Sequence, residues 1–161
     1  SMFLTTLQTS FKGFEANGIS MEPTLHNGDS IIVNQLAYAQ IDFGLLDGVP
    51  LIDPGGRWAS PERGDIVVLQ SPVSPEKELV KRVIGLPGER VEIKNGLVYI
   101  NGAPLDEPYA AGETECWGLC QWEVPAGHYF VLGDNRPGSS DSRDGWTVPI
   151  DKIDGKKIFD Y

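Results

Sequence analysis

Polar and apolar residues alternate along several short segments of the chain, and many of the apolar positions are β-branched. An alternation with period two is typical of strands that bury one face, and no segment has the 3.6-residue period of a convincing helix. The pattern therefore predicts an all-β fold built on an antiparallel core. The predicted strands are Ser30–Asn34, Asp65–Leu69, Leu79–Ile84, Arg90–Lys94, Leu97–Ile100, His128–Leu132 and Lys157–Tyr161.

Turn signals separate the predicted strands. Asn95-Gly96 lies between two of them, and this pair readily adopts the positive φ angles of a two-residue hairpin turn. Segments 37–63 and 103–127 are rich in Gly, Pro and Asp, which predicts long loops or insertions that leave the sheet. With 161 residues, the chain has the length of a single domain.

The charge balance excludes one class of partner. The chain has 23 acidic and 13 basic residues, a net charge of -10, and no run of Lys or Arg beyond two. Such a surface repels phosphate, so no nucleic-acid partner is expected. No segment has the roughly 20 apolar residues that cross a bilayer. The abrupt start at Ser1-Met2 is interpreted as the loss of a membrane anchor, with residues 1–17 as a membrane-proximal lead-in.

The two cysteines of the chain, Cys116 and Cys120, are close together in the sequence. Two thiols without a nearby His make a poor zinc site, since structural zinc usually has four protein ligands. A disulfide across this short loop is the favoured interpretation, and two separate buried thiols are the alternative. A disulfide would indicate an oxidising compartment.

Ser20 is the first candidate for chemistry. It follows Gly18-Ile19 and precedes Pro23, where the chain must turn and cannot continue a central strand. A serine in such a turn is exposed to a substrate. The alternative is an ordinary turn serine that only satisfies backbone hydrogen bonds.

Lys81 is the second candidate, because strand alternation places it on one face with Leu79 and Val83. Burial beside apolar side chains disfavours the ammonium form, lowers the pKa and allows a lysine to act as a neutral base. The alternative is that the side chain extends past its apolar neighbours into water.

Other nucleophile systems fit less well. A Ser-His-Asp triad would need His26 or His128, which look like surface or strand-end residues. Ser74 and Lys77 match a Ser-x-x-Lys pattern, but they lie in a loop rich in proline without the accompanying motifs of that enzyme class. The spacing is interpreted as coincidence.

A polar segment follows the predicted strand His128–Leu132. Its short side chains, Ser139 among them, are able to hydrogen-bond a neutral lysine, and Asp141 and Arg143 are able to form a fixed charge pair. The alternative is a polar surface connection with Asx turns.

Four segments, in this order, resemble the sequence boxes of bacterial type I signal peptidases. They are Ser20–Leu25, Arg63–Val68, Lys81–Gly88 and Gly133–Arg143. The resemblance implies an all-β catalytic core and a serine protease anchored in the cell membrane, with its catalytic domain on the extracytoplasmic face. It also implies removal of signal peptides from secreted preproteins, with no cofactor and no metal.

The resemblance assigns roles to individual residues. It implies that Ser20 is the nucleophile, that Lys81 is the general base and that Ser139 assists the lysine, while Asp141 and Arg143 are mainly structural. The expected substrate-binding and oxyanion residues are Gly18, Ile19, Ser20, Met21, Leu79 and Val80.

One position departs from the family pattern, because some members have a serine that helps form the oxyanion hole where this chain has Gly18. The oxyanion hole is then expected to use backbone N–H groups, that of Ser20 among them, with Gly18 allowing close approach. The apolar residues Phe3, Leu4, Phe11 and Phe14 are expected either to rest on the membrane surface or to pack into the core.

Two other interpretations of the chain stay open. One is a relative with the same serine and lysine but another task, such as a self-cleaving repressor or a specialised processing peptidase. A repressor would normally carry an N-terminal DNA-binding domain, and none is visible. The other is a β-rich extracytoplasmic binding module in which the serine and lysine are incidental.

Overall fold

A computed structural model describes residues 11–38 and 60–161. The described residues form strands and short 3₁₀ turns. The strands are β1 Phe11–Glu15, β2 Ser30–Asn34, β3 Ile66–Gln70, β4 Glu78–Gly85, β5 Arg90–Lys94, β6 Leu97–Ile100, β7 Ala103–Pro104, β8 Gln121–Glu123, β9 His128–Leu132, β10 Val148–Pro149 and β11 Ile153–Asp160. The 3₁₀ turns are Arg136–Gly138, Ser142–Asp144 and Ile150–Lys152.

These strands form two antiparallel sheets, which confirms the predicted all-β fold. The larger sheet has seven strands in the order β1-β2-β11-β3-β4-β9-β10, and the smaller has four in the order β7-β6-β5-β8. No helix in ranges 11–38 and 60–161 is long and apolar enough to span a bilayer.

Three apolar clusters form the core. One is built on β3, β4 and β9 and includes Val67, Val83 and Val131. A second joins the small sheet to β4 and β9, through residues such as Ile84 and Phe130. The third comprises Ala16, Met21, Leu25, Ile31, Val33 and Val68. It lies beneath the turn that carries Ser20 and therefore holds that turn against the sheet.

The predicted strands agree with β2, β3, β4, β5, β6 and β9 to within one residue at each end. The last prediction, Lys157–Tyr161, was too short, because β11 begins at Ile153 and continues through a bulge near Gly155. Residues 11–15 of the predicted lead-in are β1, a strand of the large sheet.

The two predicted loops differ in how much the structure describes. Segment 103–127 contains the short strands β7 and β8, which pair with β6 and β5 and so extend the small sheet. Most of segment 37–63, residues 39–59, lies outside the described residues, as do Phe3 and Leu4.

Candidate active site

Ser20 begins a tight turn that leads from β1 back toward β2. The Glu22 N–H donates to the Ile19 carbonyl at 3.1 Å, and the Leu25 N–H donates to the Met21 carbonyl at 3.0 Å. Met21 and Leu25 are buried in the third apolar cluster, whereas Ser20 is half-buried. Burial of these two apolar side chains fixes the turn and leaves the serine at its surface.

Lys81 meets Ser20 across 61 residues of sequence. Its Nζ lies 2.8 Å from Ser20 Oγ, within hydrogen-bond distance. Lys81 is only 3% exposed, so its side chain does not extend into water as the alternative interpretation required. The pKa of Lys81 is lowered from 10.5, mainly by burial; Asp141 raises the pKa and Arg143 lowers it. The arrangement favours an uncharged amine beside a hydroxyl.

The strand that carries Lys81 changes partner at this point. Residues 78–82 of β4 pair with β3, but β9 pairs with β4 only from Arg82 onward. Segment 78–81 therefore has one edge without a strand partner among the described residues. β1 ends the large sheet, and its outer edge likewise has no strand partner within residues 11–38 and 60–161.

A cavity of about 450 Å³ lies between these two edges. Residues 12–18 line one side of it, residues 78–81 line the other, and Ser20 lies in its wall. Five of the six predicted substrate-binding and oxyanion residues line this cavity: Gly18, Ser20, Met21, Leu79 and Val80. Ile19 does not line it, but it is 53% exposed next to Ser20. Ser20 and Lys81 therefore lie at a groove that has backbone groups along both sides.

Arg82, the residue after Lys81, is held by a buried ion pair. Its Nε and Nη2 donate to the Asp134 carboxylate at 2.8 and 2.6 Å, and Nη1 donates to the Gly64 carbonyl. The Thr24 hydroxyl also donates to Asp134, at 2.6 Å. The guanidinium lies 3.9 Å from the centre of the Tyr109 ring. Through Asp134, the strand that carries Lys81 and the turn that begins at Ser20 are connected.

Asp134→Asn is expected to lower the free energy of unfolding by about 3 to 5 kcal/mol, because it leaves the Arg82 charge buried without its partner. Urea unfolding followed by circular dichroism measures the change. Asp160→Asn is the matched control, since Asp160 forms its ion pair with Lys157 on the exposed surface, and its midpoint should equal that of the wild type. An Asp134→Asn variant as stable as the control would contradict this assignment.

Asp141 and Arg143 form a second ion pair in the segment that follows β9. Arg143 Nε and Nη2 donate to the carboxylate at 2.8 and 2.9 Å, and Asp141 also accepts from the Gly133 N–H at 3.1 Å. Arg143 Nη2 donates further to the carbonyls of Arg136 and Ser139. The pair therefore cross-links residues 133–143 into one rigid segment.

Ser139 Oγ is buried and forms no hydrogen bond with any described residue. The expected bond to Lys81 is therefore not formed, because the side chain packs against Gly133 instead. A Cβ at Gly133 would collide with the Ser139 side chain and lie 2.5 Å from the Ser20 carbonyl oxygen. Glycine is required at 133 for this close approach.

Asn135 connects residues 133–143 to the turn that begins at Ser20, a role that the sequence did not indicate. Its backbone N–H donates to the Ser20 carbonyl at 3.0 Å, and its side-chain amide donates to the Ile19 carbonyl at 3.1 Å. The sequence analysis also overlooked Thr24, Arg82 and Asp134. All four lie inside the boxes that carried the family resemblance, so these boxes were the available signal.

Gly18 lies in the left-handed region two residues before Ser20. Its φ of +89° favours glycine, and a Cβ there would meet no atom of the described residues within 4 Å, so the space beside Gly18 is open. Its N–H donates to Asn27 Oδ1 at 2.7 Å and is not free to bind an oxyanion. The Ser20 N–H, in contrast, donates to no group in ranges 11–38 and 60–161.

Cys116 and Cys120 are joined by a disulfide with an S–S distance of 2.07 Å. The two histidines and the Ser-x-x-Lys pair have local partners. His26 lies 3.7 Å from Asp29, and His128 Nδ1 lies 2.9 Å from the Thr147 hydroxyl. Ser74 and Lys77 form the turn between β3 and β4, where Lys77 is exposed.

The chain was compared with known proteins. The family model described as "Signal peptidase, peptidase S26" matches residues 1–161. Signal peptidase I of Bacillus caldolyticus is 37% identical over 94% of this chain and 79% of the relative. Signal peptidase I of Pseudomonas aeruginosa is 34% identical over 92% of this chain, which spans 60% of that protein's length.

A solved structure is similar as well. The crystal structure of a signal peptidase I from Enterococcus faecalis V583 matches with a TM-score of 0.52 and 37% sequence identity. The match covers 61% of this chain and 97% of the other. The sequence and structural matches lead to the same family, so the chain belongs to the signal peptidases, the S26 family of peptide hydrolases.

Proposed function

We propose that the protein removes N-terminal signal peptides from secreted preproteins as a serine endopeptidase, with Ser20 as nucleophile and Lys81 as general base. One observation carries the proposal: Lys81 Nζ lies 2.8 Å from Ser20 Oγ while the lysine is 3% exposed. Burial lowers the pKa of the amine, and the serine at the groove is within reach of it.

The reaction has two halves, and Lys81 Nζ takes up and then releases a proton in each. Ser20 Oγ attacks the scissile carbonyl carbon while its proton passes to Lys81 Nζ. The resulting ammonium donates that proton to the leaving amine as the C–N bond breaks, which leaves an ester on Ser20. Lys81 then takes a proton from water, the hydroxide attacks the ester, and the serine regains its proton.

The free N–H of Ser20 supports the oxyanion part of this proposal. Negative charge develops on the carbonyl oxygen during the attack, and a preorganised donor stabilises it. The Gly18 N–H is occupied by Asn27. We assign the Ser20 N–H to the oxyanion, because it belongs to the residue whose Oγ attacks.

The substrate is an extended peptide that enters the groove as an added strand. The free edges of β1 and of β4 residues 78–81 offer backbone donors and acceptors on both sides. Met21, Leu79 and Val80 line the groove near Ser20 and leave shallow space for small side chains next to the cut. Gly18 and Ile19 form the rim.

The site of action is the extracytoplasmic face of the cell membrane. The Cys116–Cys120 disulfide supports an oxidising compartment. Phe11 is 48% exposed, which supports contact with the membrane surface, whereas Phe14 packs partly against the third apolar cluster and supports the core interpretation for that residue.

Incubation with a model preprotein tests the function. Gel analysis and mass spectrometry should show cleavage once, after the signal peptide. A serine-directed acylating inhibitor should add its mass to the wild type and not to Ser20→Ala. A protein that neither cleaves nor becomes acylated would support the binding-module interpretation instead.

A further inference from the structure

The loop closed by the Cys116–Cys120 disulfide carries the two most exposed large apolar side chains of the described residues. Trp117 is 88% exposed and Leu119 is 85% exposed. A five-residue disulfide loop holds them in a fixed position at the surface. The proposed chemistry uses neither residue.

Two hydrogen bonds attach the residues just before this loop to the segment that packs on the turn at Ser20. Arg143 Nη1 donates to the Glu115 carbonyl at 3.0 Å, and Arg136 Nη1 donates to the Thr114 hydroxyl at 2.7 Å. Both arginines belong to residues 133–143, whose Asn135 binds the Ser20 carbonyl. The disulfide loop is therefore held in a fixed relation to Ser20.

A cavity of about 370 Å³ lies where the loop meets this segment. Trp117 and Pro137 form apolar parts of its wall, and Ser139 and Asp144 also line it. Ser139 packs in addition against Gly133, next to the Ser20 carbonyl. One residue, Ser139, thus connects this cavity to the surroundings of the nucleophile.

The strand pairing of β4 indicates which part of a substrate arrives there; this step rests on the proposed function. In that proposal the signal peptide occupies the groove beside β4 residues 78–81. From Arg82 onward, β9 occupies the same edge of β4. The peptide beyond the scissile bond is therefore unable to stay paired with β4, and residues 133–144, which follow β9, adjoin the point where it leaves that edge.

The charges at the cavity favour some side chains over others. Arg136 and Arg143 have their own carboxylate partners, Glu107 and Asp141. Glu115 and Asp144 lie exposed at its wall. The cavity thus combines an indole with a net negative rim, which suits apolar and basic side chains better than acidic ones.

We infer that the cavity beside Trp117 binds the residues that follow the scissile bond, the first residues of the mature protein, and prefers apolar or basic side chains there. Trp117 provides the contact surface for this segment. The disulfide closes the loop that carries the indole, and the two arginines hold the residues just before it.

Two peptides with the same signal sequence test this inference. The short one ends about two residues after the scissile bond; the long one continues for about eight, an extended reach of about 26 Å, and includes a lysine. Trp117→Ala should lower kcat/KM for the long peptide about tenfold, mainly through KM, and leave the short peptide unchanged. Phe159→Ala removes another exposed aromatic side chain and should change neither value.

Other outcomes distinguish a failure of this inference from a failure of the proposed function. If Trp117→Ala treats both peptides like the wild type, or lowers both equally, the binding inference is wrong and the proposed function stands. If the wild type cleaves neither peptide, the proposed function itself is wrong. As a second readout, the Ser20→Ala protein should bind the long peptide more tightly than a long peptide in which glutamate replaces the lysine. The double variant Ser20→Ala/Trp117→Ala should bind the long peptide more weakly than Ser20→Ala does.

Discussion

Ser20→Ala is expected to reduce kcat for preprotein cleavage by about 10⁶-fold, because no other group can form the ester intermediate. The variant should fold like the wild type, since Ser20 is half-buried in a turn that Met21 and Leu25 hold in place. A quenched-fluorescence peptide assay measures the rate, and circular dichroism checks the fold.

Ser74→Ala is the control for Ser20→Ala. It removes a hydroxyl from the turn between β3 and β4 and should cleave at the wild-type rate. A Ser20→Ala protein that keeps more than about one hundredth of the wild-type kcat would require another nucleophile.

Lys81→Met is expected to reduce kcat by about 10⁴-fold, because it removes the base and keeps an apolar side chain of similar length in the buried site. In the wild type, kcat/KM should rise with pH as Lys81 loses its proton, and then level off. The midpoint should lie below 10.5, since burial lowers this pKa.

The pH profile provides the decisive comparison for Lys81. The remaining activity of Lys81→Met should lack the rise that Lys81 causes in the wild type. A variant that keeps the same rise with the same midpoint would show that another group titrates, and the assignment of Lys81 as base would be wrong.

The same lowered pKa has a consequence for stability. Between the folded-state pKa of Lys81 and its unfolded value near 10.5, the unfolded chain binds the proton more strongly than the folded one. The free energy of unfolding therefore rises with pH in this window. Below the folded pKa, both states are protonated and the folded state carries the full desolvation cost. Lys81→Met should remove this pH dependence.

Much of the sheet was predictable from local patterns. The β-branched alternation of β3 and β4 and the Asn95-Gly96 turn identify their elements without tertiary information. β1 was missed because Gly13 and the charged Lys12 and Glu15 weaken its pattern. Its pairing with β2 stabilises it, and this long-range contact is invisible locally.

The site was predictable only in part for a similar reason. Alternation identified Lys81 as a lysine among apolar neighbours. Its contact with Ser20, which lies 61 residues away in the sequence, depends on how the large sheet curves, and this is a tertiary feature. The family resemblance, not residue spacing, joined the two. The orientation of Ser139 and the hydrogen bond from Gly18 to Asn27 depend on detailed loop packing, which no periodicity encodes.

Lys81 and Arg82 are consecutive residues with opposite environments, one beside a hydroxyl and one in a buried ion pair. Because adjacent side chains of a strand point to opposite faces, a slip of β4 by one position would exchange them. A guanidinium that cannot release its proton would then face Ser20. In the proposed mechanism, the alignment of β4 with β3 therefore decides which of two neighbouring cations is able to become the base, so correct strand pairing is a requirement for that chemistry.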